Sequence, residues 1–371
     1  MGYPQGGQQP TYGGQPMGQQ PSYGGQPSMG QQPMGQQPMG QQPMGQQPMG
    51  QQSSYGGMGG MNGPAYEYQQ AQQGYGGAPS FTASPPMGSP PVGGMARGGG
   101  ILGILQKCVT ENRLERFYNS QSLSMLAQQL EQKSGRVQQL AQKWKLSGEI
   151  QNDLYQLALY DVIMLCDDSG SMAFEEQGER IEDLKMTVSY VAEATALFDS
   201  DGICVRFLNS TQEGNGIAEP SQVQQLISSV RFQGLTPMGT SLDQKVLQPF
   251  VYSALKSNSF TKPLLVIILT DGSPAGEPYD KIMQVLNQVH QTSGGVGVAV
   301  SFAQIGSDQQ AQKFLHEIDV HTGFGSMVDC TSSYELEQAE MSRKGVDLQP
   351  EVWIAKLLLG AIDASYDKLD E

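Results

Sequence analysis

Residues 161–172, DVIMLCDDSGSM, decide the fold. Positions 162–166 form an apolar run of the length of a buried strand, and the run stops abruptly at Asp167, Asp168, Ser169, Gly170 and Ser171. In an open parallel sheet the loops leaving the carboxyl ends of the strands form the ligand crevice, so polar groups gathered at such an end mark a candidate site. Asp167, Ser169 and Ser171 follow the spacing D-x-S-x-S. Alternate residues of a tight loop can turn their oxygens toward one point. One carboxylate and two hydroxyls then make a half-shell of hard oxygen suited to magnesium, manganese or calcium. Two later stretches offer oxygens to complete it: Gly239, Thr240 and Ser241 in LTPMGTSL, and Thr270, Asp271 and Gly272 at the end of LLVIILTDG.

Outward from this stretch, apolar runs alternate with segments of helical periodicity. Strands are expected at 203–208, 264–269, 298–305 and 327–330, with a short edge strand near Ile217. Helices are expected around 181–198, 223–230, 241–255, 282–289, 311–318 and 334–341. The run 264–269 has no polar alternation, which is how a strand covered on both faces reads. The alternation predicts an α/β fold built on a doubly wound, mainly parallel, Rossmann-like sheet.

The three motifs together resemble the metal-ion-dependent adhesion site, MIDAS, of von Willebrand factor A (vWA) domains. Asp167, Ser169 and Ser171 match the first motif, Thr240 the threonine of the second and Asp271 the aspartate of the third. The resemblance covers residues 159–345 and implies a Mg2+ ion, or Mn2+ or Ca2+, held by these five residues. It further implies a cation left electron-poor by neutral hydroxyl ligands, which seeks an Asp or Glu of a protein partner. The glutamine-rich start and the appended helices look like those of intracellular proteins with a single A domain.

Ahead of that region the composition changes. Residues 1–98 are mostly Gly, Gln, Pro, Met and Tyr, with the pentad MGQQP beginning at Met17, Met29, Met34, Met39 and Met44. So little apolar surface cannot offset the entropy of ordering the chain, and the segment is expected to be a disordered low-complexity tail. Its tyrosines offer weak self-association. From Ile101 helix formers take over, with apolar residues at three-to-four spacing, and three or four short helices are expected over 101–158. Ser147 is the expected cap of the last. At the other end Pro350 opens an expected amphipathic helix within 346–371, presenting Val352, Ala355, Leu359, Ile362, Tyr366 and Leu369 on one side.

Glu67 and Arg97 are the only charges before residue 101 and cancel, so the formal charge of -15 belongs to the remainder. Such a surface repels phosphate backbones and anionic lipid heads, which disfavours nucleic acid and membrane as partners. The 264–269 run is too short to span a bilayer. Cys108, Cys166, Cys204 and Cys330 show no metal or redox spacing and read as small buried hydrophobes. Without a secretory signal the expected location is cytoplasmic.

The rival reading is a metal-independent hydrolase of the SGNH type, with Ser169 as nucleophile and His321 with Asp319 as its partners. The spacing counts against it: Asp167 stands where a glycine is wanted, and the late pair is D-x-H rather than D-x-x-H. The cluster Gly294, Gly295, Gly297 precedes a strand and is a helix stop, not a dinucleotide loop. The sequence therefore predicts a binding module rather than an enzyme.

Overall fold

The computed structural model describes Gly2 and residues 100–366. The expectations of disorder and self-association for residues 1–98, and the position of Leu369, lie outside the described residues.

Helix α1 (Gly100–Glu111) opens the described chain, followed by α2 (Ser120–Lys143), α3 (Gly148–Asp153) and a buried 3-10 turn, Leu154–Leu159. Three helices and a 3-10 turn thus fill the region where three or four short helices are expected, but α2 is one continuous element of 24 residues and not short. Gly135 in its middle costs on the order of 1 kcal/mol relative to Ala. That is outweighed by the buried stripe Leu123, Ala127, Leu130, Val137, Leu140 and Ala141. Reciprocal hydrogen bonds between Asn119 and Ser122 fix where α2 begins. Ser147 caps α3 as expected, its hydroxyl accepting from the Ile150 N–H.

The chain then enters β1 (Asp161–Cys166) and alternates through α4 (Gly170–Phe174), α5 (Glu179–Thr195), β2 (Ile203–Phe207), β3 (Gly214–Ile217) and α6 (Pro220–Ser228). Next come α7 (Met238–Ser241), a π-helix (Leu242–Tyr252), α8 (Ser253–Lys256), β4 (Leu264–Thr270) and α9 (Lys281–Ser293). Strand β5 (Val298–Gln304), α10 (Gln309–Asp319), β6 (Val328–Thr331), α11 (Tyr334–Arg343) and α12 (Pro350–Leu359) complete it. The six strands lie in the order β3-β2-β1-β4-β5-β6, and every neighbouring pair is parallel except β2 with β3. The architecture is α/β on a mostly parallel sheet.

The period-two geometry of the strands divides their side chains between two cores. Val162, Met164, Leu265, Ile267 and Leu269 face one core, shared with Leu105, Trp144 and Leu357. Ile163, Leu165, Val266 and Ile268 face the other, shared with Val246, Ile282 and Phe314. All seven residues of β4 are buried, which accounts for its unbroken apolar run. The helices before β1 and the C-terminal helix thus lie on one face of the sheet.

Two elements differ from the expected form. Over Leu242–Tyr252 the turn widens to a π-helix around Pro249, whose ring would meet the carbonyl four residues back in an α-helix. Helix α12 ends at Leu359 and passes into a short 3-10 turn instead of running on past Tyr366. Gly360 lies against the Asp329 carboxylate, where no side chain would fit. Residues Trp353, Ile354, Ala355, Leu357, Leu358 and Leu359 are all buried, so this helix is enclosed rather than amphipathic. Among the described residues no helix is long and apolar enough to cross a membrane.

Candidate functional site at the carboxyl edge of the sheet

Strand β1 ends between Phe207 of β2 and Leu269 of β4, at the point where successive strands are added to opposite sides of it. The loop that follows is drawn back over the sheet edge. Its Asp167 N–H donates to the Leu269 carbonyl, and the Gly170 N–H to the Gly234 carbonyl at 3.2 Å.

Asp167 is fully buried. Its carboxylate accepts from the Ser169 N–H at 2.8 Å and from the Thr270 hydroxyl at 2.8 Å. Ser169 Oγ lies 3.0 Å from Ser171 Oγ, and Ser171 Oγ donates to Asp271 Oδ1 at 2.9 Å. Four of the five expected residues therefore form one connected row across the ends of β1 and β4. Thr240 stands apart: among the described residues no hydrogen bond joins its hydroxyl to the row. Its backbone N–H, with that of Gly239, donates to the Glu277 carboxylate at 2.8 and 2.7 Å.

The charges are unevenly matched. Arg180, buried at the start of α5, donates to Asp271 Oδ2 at 2.7 Å and reaches Glu175 and Glu176 with its other terminal nitrogen at 2.8 and 3.1 Å. Asp167 has no ion-pair partner among the described residues. Burial first, and then the neighbouring charge of Asp271, push its carboxyl up to about 7. Burial also raises Asp271, opposed by the hydrogen bonds from Arg180 and Ser171.

Asp168 is fully buried and turns to a neighbouring loop. It accepts from the Asn209 N–H at 2.7 Å, the Asn209 amide at 3.1 Å and the Ser210 N–H at 2.8 Å. Lys245 closes the same loop from beneath, donating to the carbonyls of Phe207, Leu208 and Ser210. Asn209 is thus a structural clasp, its amide donating also to the Leu235 carbonyl. Arg180, Lys245 and Glu277 were not identified from sequence as parts of this edge, because each acts on residues far along the chain.

Ser169 and His321 do not meet. Ser169 follows β1 at the carboxyl edge, whereas His321 precedes β6 and so belongs to the opposite edge of the parallel sheet. The His321 ring stacks on Phe324 at 4.6 Å between centroids, and its Nδ1 accepts from the Gly323 N–H. It ends one helix and opens a turn.

No protein-family model matches the chain, and no curated protein matches it. Three solved structures show limited similarity. The pilus adhesin SpaC from Lactobacillus rhamnosus GG is 16% identical, with a TM-score of 0.35 over 53% of this chain and 30% of that one. Proximal thread matrix protein 1 from the mussel byssus is 20% identical, with a TM-score of 0.33 over 56% and 48%. The PilB minor pilin from Streptococcus sanguinis is 14% identical, with a TM-score of 0.31 over 57% and 62%. This chain spans less than two thirds of each, and likeness at this level carries nothing about function.

The vWA resemblance is thereby corrected. No family model takes the chain in. Among the described residues no three His, Cys, Asp or Glu side chains gather as a metal-holding group. The acidic groups of this edge are turned apart by their own partners. Asp168 goes to the β2–β3 loop, Glu277 to α7, and Asp271 to Arg180.

Proposed function

We propose that the chain is a non-enzymatic protein-binding module whose carboxyl-edge crevice takes an Asp or Glu of a partner through a divalent cation. Asp167, Ser169, Ser171, Thr240 and Asp271 would hold the ion, magnesium ahead of manganese or calcium. One observation carries this reading: the unbroken row from Asp167 through Ser169 and Ser171 to Asp271, with a buried carboxylate at one end that no cation pairs among the described residues. Every donor in the row is oxygen, and hard divalent cations prefer such sets. The position of the row also supports it. Strand order reverses at β1 and helices cover both faces, so the sheet can be read as doubly wound, with its ligand crevice where the site lies.

Within the chain each part has a task. Asp167 and Asp271 supply negative charge, and the hydroxyls of Ser169 and Ser171 supply neutral ligands. Glu277 sets the turn that carries Thr240, and Arg180 fixes the rotamer of Asp271. When bound, the ion would supply the positive charge that lets an acidic protein receive an acidic side chain.

The test is recovery of partners on the immobilised full chain in magnesium and in EDTA, with Thr240→Ala beside the wild type. The reading expects partners that are held in magnesium, released by EDTA and lost from the variant, whose fold should be unchanged because the half-buried Thr240 hydroxyl makes no hydrogen bond among the described residues. The same retention in EDTA as in magnesium would contradict it.

A further inference from the structure

Three of the large hydrophobic side chains exposed among the described residues stand on loops at the carboxyl edge. Phe174 is 85% exposed, Leu235 58% and Tyr279 49%. Phe174 closes α4, the turn that begins with Gly170 and Ser171. A side-chain carbon on Gly170 would lie 3.7 Å from the Phe174 ring and 3.8 Å from the Gly234 carbonyl oxygen. The ring therefore rests on the glycine between the two serine hydroxyls. On the far side, a carbon on Gly276 would lie 2.8 Å from Leu235 Cδ1, so Leu235 rests on the loop that follows Asp271. Phe174, Gly170, Gly234, Leu235 and Gly276 make a continuous strip beside the polar row, apolar at its two ends and flat between them.

A phenyl group left so far in water gains little from folding. Exposed apolar area next to a polar recess is a mark of a binding surface. The strip also lies within one or two residues' reach of the row, since an extended chain advances about 3.4 Å per residue. We infer that Phe174 and Leu235 form an apolar platform that selects a partner segment in which the captured Asp or Glu has a large apolar residue one or two positions away. This rests on the carboxylate-capture reading above, and it adds the neighbour of the acid as the source of specificity. The occupant is an extended acidic–apolar peptide segment. Neither a bare carboxylate nor a basic helix would use both the row and the strip.

Fluorescently labelled octapeptides of Gly and Ser test it, each carrying a single Glu and differing only by Leu, Phe, Ser or Lys next to it. Binding to the full chain is followed by anisotropy in magnesium and in EDTA. Leu and Phe peptides should bind about tenfold or more tighter than the Ser peptide, as expected for one buried side chain. Phe174→Ser with Leu235→Ser should abolish that preference while leaving the affinity for magnesium alone unchanged. Both side chains are exposed, so the variant should keep the wild-type unfolding transition. Magnesium-dependent binding with no preference among neighbours, or a preference that survives the double substitution, overturns the platform and leaves carboxylate capture standing. Leu and Phe peptides that bind equally in EDTA overturn carboxylate capture, and with it the inference built on it.

Discussion

The two edges of the sheet are closed in opposite ways. At the amino edge three basic groups are held by partners. Arg116 donates to the carbonyls of Ser293 and Val296, Arg113 to Gly295, and Lys262 bridges Asp161 at 2.7 Å and Asp199 at 2.8 Å. At the carboxyl edge two buried aspartates of the row, Asp167 and Asp271, share one arginine, and Arg180 stands with Asp271. The first edge is finished by its own residues; the second carries a charge that folding alone does not compensate. That asymmetry separates an edge where basic side chains are paired from an edge that keeps the buried Asp167 carboxylate without an ion pair among the described residues.

Removing Arg180 should have the largest effect. Arg180→Met leaves Asp271 buried without its partner, and breaking such a pair costs about 3 kcal/mol or more. The urea midpoint of the metal-free chain should fall accordingly, and excess magnesium should restore part of the loss. The amino edge should respond less. Lys262 is half-buried between two partly exposed carboxylates, so Lys262→Met should cost about 1 kcal/mol and be indifferent to magnesium. Equal magnesium sensitivity at both edges would break the comparison.

Why one edge was easier to read than the other follows from how far its interactions reach. The strands were legible because period-two burial and unbroken apolar runs are local signals, as at Leu264–Thr270. The row of Asp167, Ser169, Ser171 and Asp271 was legible because its residues sit at strand ends. The partners of the row were not: Arg180 meets Asp271 across 91 positions, and Glu277 meets Thr240 across 37. Neither pairing leaves a pattern in the chain. The full length of α2 was not read from the sequence; Ser134 and Gly135 in its middle fall on its exposed face and do not interrupt it. The end of α12 depends on the carboxylate of Asp329 beside Gly360, again a contact between distant residues. The family resemblance failed for a related reason. Motif spacing reports which oxygens are near a loop but not whether their carriers gather, and among the described residues no three His, Cys, Asp or Glu side chains form a metal-holding group.

A smaller effect comes from Asp183, on the helix that carries Arg180. Burial, with Glu335, Glu179, Glu176 and Glu182 nearby, raises its carboxyl to about 6. A carboxyl whose folded value lies above its unfolded value of 3.8 favours the folded state when protonated, so its contribution weakens stability as pH rises from about 4 through 6. Asp183→Asn should therefore raise the melting temperature at pH 7.5 by about 2 °C and leave it unchanged at pH 4.

The uncompensated carboxylate at the carboxyl edge is the centre of the account, and thermal unfolding of the full chain against magnesium concentration tests it most directly. A cation bound only by the folded state raises the transition with the logarithm of its concentration. Wild type should show that rise, and Asp167→Ala should show none, while calcium-free and magnesium-free samples of the variant unfold no earlier than the wild type. A transition that magnesium leaves unmoved in the wild type, or moves equally in Asp167→Ala, would contradict it.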